Sequence, residues 1–295
     1  MIFSRPLHAL GFAALLVLAG IAVAQRGFRD RWESYQDPAE EGYRPRREGV
    51  PDWELPKHMP DDVFTFVRIK YRSESRYGRW GRGGGWATDY PASDLNFSYR
   101  LQELTSMEVN PDGKVMELTD PRLFDYPFIY MIEPGSISLS TEEEENLRKY
   151  LENGGFLMVD DFWGYDEWDN FYAQFKRVFP HRNLDEELVE LPLKHHIFHC
   201  VFDLQEKPQV PSMHHAIRNR EEGTTWEWEK GEGARIVQYK GLADEKGRLM
   251  CIVCFNTDLG DGWEREGEDA WYFKEFAEKK SYPMGINIVF YALTH

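Results

Sequence analysis

Two adjacent carboxylates, Asp160 and Asp161, follow directly after the apolar run at residues 156–159. The run is too short for a helix and is preceded by Gly154 and Gly155, so it predicts a buried strand that starts after a helix end. Ligands of open α/β sheets bind outside the carboxyl ends of the strands, where carboxylates can act as base, nucleophile or cation ligand. We therefore take Asp160 and Asp161 as candidate catalytic residues, with helix capping and solvation as the structural alternative.

A second oxygen-rich segment, NTDLGDG, occupies residues 256–262 and follows the apolar run at residues 249–255. Its Asn256, Asp258 and Asp261 carry the oxygen ligands that hard divalent cations prefer, although the spacing misses that of an EF-hand by one residue. A turn rich in Asx residues is the structural alternative. If both apolar runs are parallel strands, both acidic segments lie at one sheet edge, which predicts a shared site with a divalent cation as candidate cofactor.

Other residues that could take part in binding or catalysis have simpler structural explanations. Helix capping accounts for Asp89 and Asp94, which stand beside a glycine-rich segment at residues 78–85. His195 and His199 have the four-residue spacing of a zinc pair, but that spacing serves zinc on a helix and their surroundings predict extended chain.

The cysteines do not indicate a redox or nucleophilic site. Cys251 and Cys254 form a C-x-x-C within the predicted strand 249–255, where odd spacing sends the two side chains to opposite faces. The sequence also lacks a G-x-S-x-G elbow, so a carboxylate would have to serve at the strand end.

Four tryptophans are predicted to lie near the acidic edge and could stack against a sugar or another small polar ligand. They are Trp80, Trp86, Trp163 and Trp263.

The elements that position these residues alternate between strand and helix patterns. Strands are predicted at residues 63–71, 128–132, 156–159, 234–239 and 248–255, the last two as a hairpin around residues 244–247. Helices are predicted from Ser93 or Asp94, from the Ser140 capping box, across 168–179 and 271–279, and from Pro283. This alternation predicts right-handed crossovers and a mostly parallel sheet covered on both faces.

The length, the net charge and the first 24 residues limit which class of protein this can be. The 295 residues carry a formal net charge of -16, which argues against nucleic acid as a partner. Residues 1–24 have a basic start, an apolar stretch and an A-x-A site at Ala22 to Ala24, which predicts a signal peptide and export to the periplasm or the extracellular space. A retained anchor is the alternative; mass spectrometry showing Gln25 as the first residue would establish cleavage. No further membrane span is predicted.

Residues 25–60 are predicted to be an extended linker, with Trp53 among the side chains that could dock on the domain at residues 61–295.

Five long sequence segments resemble those of one known family. GWATDYPASDLNFSYRLQELT, FDYPFIYMIEPG, NGGFLMVDDFWG, NTDLGDGWEREGED and YPMGINIVFYALTH are similar to the bacterial family named domain of unknown function 4159, over about residues 63–295. That family is grouped with the class I glutamine amidotransferase-like superfamily, so the resemblance implies a flavodoxin-like three-layer α/β sandwich and no particular reaction. Catalytic superfamily members place Cys at the strand-end turn, where this chain has Asp160 or Asp161.

These patterns favour an exported, non-catalytic module that binds a small polar ligand, such as a carbohydrate, or a protein partner. The alternative is a carboxylate- or metal-dependent hydrolase that uses Asp160, Asp161 and the 256–261 segment. The two differ in whether the acids converge in one pocket with perturbed pKa values or are dispersed as helix caps.

Overall fold

The computed structural model describes residues 37–55, 63–73 and 85–295. The predicted signal peptide and Trp80 lie outside these ranges, as does part of the predicted linker. The chain divides into two compact units, residues 1–43 and 44–295, and all elements below belong to the second.

The strands alternate with helices along most of the chain, as predicted. They are β1 Val67–Lys70, β2 Arg72–Ser73, β3 Lys114–Glu117, β4 Phe128–Ile132, β5 Ile137–Ser138, β6 Phe156–Asp160, β7 Leu188–Glu190, β8 Gln238–Ala243 and β9 Leu249–Phe255. The α-helices are α1 Ala92–Leu104, α2 Thr141–Glu152, α3 Gly164–Val178, α4 Leu184–Glu187, α5 Met213–Arg218, α6 Leu259–Glu264, α7 Ala270–Tyr272 and α8 Tyr282–Thr294. A π-helical segment, Phe273–Ser281, connects α7 to α8, and 3₁₀ turns span Gly85–Ala87, Pro121–Asp125, Pro134–Ser136, His196–Phe198, Trp228–Lys230 and Glu232–Ala234.

Within the described residues, seven strands form one sheet in the order β3-β1-β4-β6-β9-β8-β7, and β2 pairs with β5 separately. The first five of these are mutually parallel, whereas β8 and β7 are antiparallel to their neighbours. Numbered along the chain, the five parallel strands run 2-1-3-4-5, which is the flavodoxin-like order. The predicted mostly parallel α/β sandwich is therefore confirmed.

Helices cover both faces of this sheet because each strand alternates its side chains between them. Phe128, Tyr130 and Ile132 of β4 join one core cluster with residues of α1 and α8. On the other face α2 and α3 pack together, and the Arg148 guanidinium donates to the Val178 carbonyl at 2.9 Å. The Ser140 capping box that starts α2 is present as predicted.

Three local predictions were wrong. The 256–262 segment is not an Asx-rich turn throughout, because α6 begins at Leu259 and the Asp258 side chain caps it by accepting from Asp261 N–H at 2.7 Å. The strand predicted at 234–239 begins only at Gln238, after a 3₁₀ turn. The segment that holds His195 and His199 is not extended throughout, because His196–Phe198 forms a 3₁₀ turn; His195 itself has an extended backbone, and its ring accepts from Ile197 N–H.

The predicted linker includes a segment that packs on the domain. Residues 37–55 contain turns and no helix or strand. The Trp53 indole N–H donates to the Val109 carbonyl at 2.8 Å, and its ring lies 6.0 Å from that of Tyr99. Across the described ranges, no helix is both long enough and apolar enough to cross a membrane.

Candidate functional site

The residues that directly follow the three central strands have strained backbones. Glu133 after β4, Asp161 after β6 and Asn256 after β9 have φ angles of 47°, 55° and 61°. Such left-handed conformations are uncommon outside glycine and are concentrated at functional sites. The shared strain at one sheet edge therefore marks this edge as a candidate site.

A cavity of about 980 Å³ opens at this edge. It is lined by Thr88, Asp89, Glu133, Gly135, Ser136, Asp161, Trp163, Asp166, Glu167, Asn170, Ser212, His214, Glu227, Lys230, Asp258, Asp261 and Arg265. Eight of these residues are Asp or Glu, against one Lys and one Arg. The strand order changes direction between β1 and β4, and a crevice at such a switch point is where α/β folds bind ligands. The charge of the lining favours a cationic ligand.

Three carboxylates converge at the inner end of the cavity. Asp89, Asp161 and Asp258 each place one carboxylate oxygen within 4.8 Å of the others. Burial raises all three pKa values well above the ordinary range, and the nearby Asp261, Glu133 and Asp161, respectively, raise them further. Asp89 Oδ2 is buried without a hydrogen-bond partner. We call these residues the first trio.

The Asp89 segment is held by a buried arginine. Arg68 is fully buried and pairs with the Asp94 carboxylate at 2.5 Å. Its guanidinium also donates to the carbonyls of Trp86 and Thr88, each at 2.9 Å. The helix-capping explanation for Asp94 was therefore wrong, because Asp94 neutralises the arginine that fixes the chain just before Asp89.

A second trio shares Asp89. Asp89, Asp261 and Glu264 also have carboxylate oxygens within 4.8 Å of one another. Arg265 Nε lies 3.2 Å from Asp261 Oδ1 and 2.6 Å from Glu264 Oε2. Among the described residues, no comparable ion pair neutralises Asp161 or Asp258. The two trios therefore differ in whether they already hold a positive charge.

Asp160 does not face the cavity. Its Oδ2 accepts from Gly260 N–H at 3.0 Å and from the Tyr130 hydroxyl at 3.1 Å, and the side chain is fully buried. Burial raises its pKa to about 7. As a candidate catalytic residue Asp160 is corrected: it connects the end of β6 to α6 from beneath the site.

Asn256 is also corrected as a candidate cation ligand. Its Oδ1 accepts from Gly164 N–H at 3.0 Å. Its Nδ2 donates to the carbonyls of Gly233 and Ile236 at 2.8 and 2.7 Å. The amide is fully engaged in tying the end of β9 to neighbouring segments. Asp261 lines the cavity but belongs to the second trio, and its Oδ2 accepts from the Met213 N–H.

All three candidate ligand-binding tryptophans that the structure describes are buried, Trp163 with 3% of its surface exposed. Trp263 has no exposed surface and packs against Phe97 with ring centroids 4.4 Å apart. Trp86 is 5% exposed and does not line the cavity. Neither can present a ring face to a sugar. Trp163 does line the cavity, and its indole N–H donates to Asp161 Oδ1 at 3.1 Å.

Three residues that line the cavity were not predicted from the sequence: Glu133, Glu167 and Lys230. Glu133 lines the cavity, and burial raises its pKa to about 7. Lys230 Nζ lies 2.6 Å from Glu167 Oε1 across from it. Glu133 could have been found, because it follows the apolar run 128–132 as Asp160 follows 156–159. Nothing in the local sequence indicates Glu167 or Lys230.

The histidine pair and the C-x-x-C, for which the sequence disfavours a zinc or redox role, do not line this cavity. His199 Nδ1 is 2.6 Å from Asp203 Oδ1, and its Nε2 is 2.7 Å from the Leu193 carbonyl. Cys251 and Cys254 are buried free thiols of β9, and burial raises the pKa of both.

Comparison with known proteins adds one family. The sequence profile of the family described as "Domain of unknown function (DUF4159)" matches residues 65–293, which includes every residue of both trios. No curated protein matches the chain.

Proposed function

For a chain that belongs to the DUF4159 family, we propose a cation-dependent binding function. One divalent cation binds to Asp89, Asp161 and Asp258, and a small polar ligand occupies the cavity above it. The observation that carries this proposal is the convergence of three carboxylates, from three separate segments, within 4.8 Å and with no basic ion-pair partner among the described residues; Asp161 and Asp258 are buried and Asp89 is partly exposed.

The spacing of the first trio suits a single ion. Calcium binds oxygen ligands at about 2.3–2.6 Å, so ligands on opposite sides of one ion are about 5 Å apart. Buried like charges raise one another's pKa, and a cation relieves that repulsion. Because the donors are all carboxylate oxygens, Ca²⁺, Mg²⁺ and Mn²⁺ fit better than zinc.

The outer wall supports a polar ligand. Glu133, Glu167 and Glu227 offer acceptors for hydroxyl or amine groups, and Trp163 adds an aromatic edge. A carbohydrate remains within this class, although it would be bound by carboxylates and not by the buried tryptophans.

A thermal-shift titration with Ca²⁺, Mg²⁺ and Mn²⁺ tests the cation. Binding to the folded state alone should add about 2.7 kcal/mol of stability at a hundredfold excess over the dissociation constant. Asp161→Asn keeps the shape of the side chain and removes its charge, so it should abolish most of that gain. Asp185→Asn is the matched control, because Asp185 is exposed and pairs with Lys176 away from the cavity.

The melting temperatures of wild type and the two variants either support the cation site or contradict it. A cation-induced rise in melting temperature that Asp161→Asn loses and Asp185→Asn keeps supports the site. Equal shifts in all three proteins would show that any cation binds elsewhere, and no shift with any of the three ions would contradict the proposal.

Metal-dependent hydrolysis is the second candidate function, and Glu133 is the observation that favours it. Its raised pKa of about 7 would let it exchange a proton near neutral pH at the cavity wall. Asp161 lies at the strained turn between β6 and α3, the place where the amidotransferase-like superfamily carries its nucleophile. A hydrolase screen should detect activity that Glu133→Gln removes while leaving cation binding intact; activity unchanged in Glu133→Gln would exclude Glu133 as the base.

A further inference from the structure

Arg265 directly follows α6 and its side chain is held by acids on several sides. Besides Asp261 and Glu264, its guanidinium contacts Glu268 Oε1 at 3.2 Å. Its backbone N–H donates to the Asp261 carbonyl at 3.1 Å, so the base of the side chain is fixed as well. The side chain is only 26% exposed and lines the cavity.

One of these acidic partners, Asp261, is itself held in place. Asp261 Oδ1 accepts from Arg265, while Oδ2 accepts from the Met213 N–H and the Tyr272 hydroxyl. Asp261 is 4% exposed, so its charge has little access to solvent. Arg265 is therefore the positive charge that the second trio requires.

The two trios share Asp89, as the carboxylates of two-metal sites do. Paired ions in such sites lie about 3.5–4 Å apart and are held by shared acidic ligands. The second trio has the ligand spacing for an ion, with oxygens within 4.8 Å of one another. The Arg265 guanidinium repels a second dication, and it is ion-paired with one oxygen each of Asp261 and Glu264, two of the three acids of the trio.

We propose that Arg265 is a specificity-determining residue that restricts the cavity to one divalent cation by supplying the charge of a second. The inference rests on the proposed function, since it assumes that the first trio binds an ion. It further implies that the chain carries the ligands of a two-ion site, and that the Arg265 side chain takes the place of the second ion.

The test is the number of Mn²⁺ ions bound per chain, measured by equilibrium dialysis and elemental analysis of the full-length protein. Wild type should bind one ion. Arg265→Gln and Arg265→Ala should bind two, because the second trio loses its internal cation. Arg265→Lys keeps the charge and should bind one. Arg177→Gln, which removes an arginine paired with Glu144 on the far helix layer, is the matched control and should bind one.

Failure of this inference can be told apart from failure of the proposed function. If wild type binds one ion and the folded Arg265→Gln and Arg265→Ala variants also bind one, Arg265 does not set the number and the inference is overturned. If wild type binds none, the proposed function fails; the role of Arg265 then stands only if its neutral variants gain an ion, and it falls if they do not.

Discussion

Asp160 is fully buried below the cavity, and burial raises its pKa from the ordinary 3.8 to about 7. Because the folded protein holds this proton more tightly than the unfolded chain, the contribution to stability is complete below pH 3.8. It is lost as the pH rises through about 7. A shift of this size corresponds to on the order of 4 kcal/mol.

Asp160→Asn should therefore flatten the pH dependence of stability. Asparagine can accept from Gly260 N–H as aspartic acid does, but it cannot ionise. We expect the free energy of urea unfolding, measured without divalent ions, to fall less between pH 5 and pH 8 than in wild type. The raised pKa values of the first trio act in the same direction, so part of the decline remains. An equal decline in the variant and wild type would show that Asp160 does not take up a proton on folding.

The sequence predicted the shared location of Asp161 and Asp258, but not that Asp160 points away from the cavity. The strand-end rule placed all of them at one edge, and the structure does bring Asp161 and Asp258 together. Asp160 is still the last residue of β6, so alternation sends it to the same face as Phe156 and Met158, into the core. The distinction depends on whether the strand ends at residue 159 or at residue 160. Sequence patterns do not locate a strand end to within one residue.

At the scale of elements, the strand-end turns combine strain with function. Glu133 adopts φ 47° directly before Pro134, a residue that disfavours most conformations of its predecessor except extended ones. Left-handed strain of this kind is worth about 1–3 kcal/mol per residue and is kept where a site needs it.

Glu133→Gly should stabilise the fold while damaging the site. Glycine adopts positive φ freely, so relief of strain should raise the free energy of urea unfolding at pH 8. The net rise should be about 1 kcal/mol, because glycine also increases the conformational entropy of the unfolded chain and this offsets part of the gain. Glu133→Gln keeps the strained backbone and separates the conformational effect from the loss of charge. A Glu133→Gly variant less stable than Glu133→Gln would contradict the assignment of strain to this turn.

Residues 256–262, for which an Asx-rich turn was the structural alternative, show why local patterns fail here. Their two glycines and three Asx residues favour turns, but tertiary packing selects a helix. Trp263 is inserted between core rings, and a Cβ at Gly262 would lie 2.5 Å from Ser281 Cβ. Gly260 is equally constrained, since a Cβ there would lie 2.8 Å from Asp89 Oδ2. These glycines are present because α6 approaches its neighbours closely.

At the scale of the whole molecule, strand order creates the site. Parallel β6 and β9 are neighbours in the sheet, so their carboxyl ends meet and Asp161 reaches Asp258 across nearly a hundred residues of sequence. The sequence predicted a shared edge on the condition that both apolar runs are parallel strands, and the structure meets that condition. The position of Asp89 was not predictable, because it depends on Arg68 of β1 holding the chain before α1. Export of the chain stays a prediction from residues 1–24.

Diffraction from crystals of the protein soaked in Mn²⁺ tests the central claim most directly. Anomalous scattering locates the ion without assumptions about stoichiometry or stability. We expect one anomalous peak per chain, coordinated by one oxygen each of Asp89, Asp161 and Asp258, and absent from Asp161→Asn crystals soaked in the same way. Well-ordered carboxylates with no peak between them, or a peak only at residues outside this trio, would contradict it.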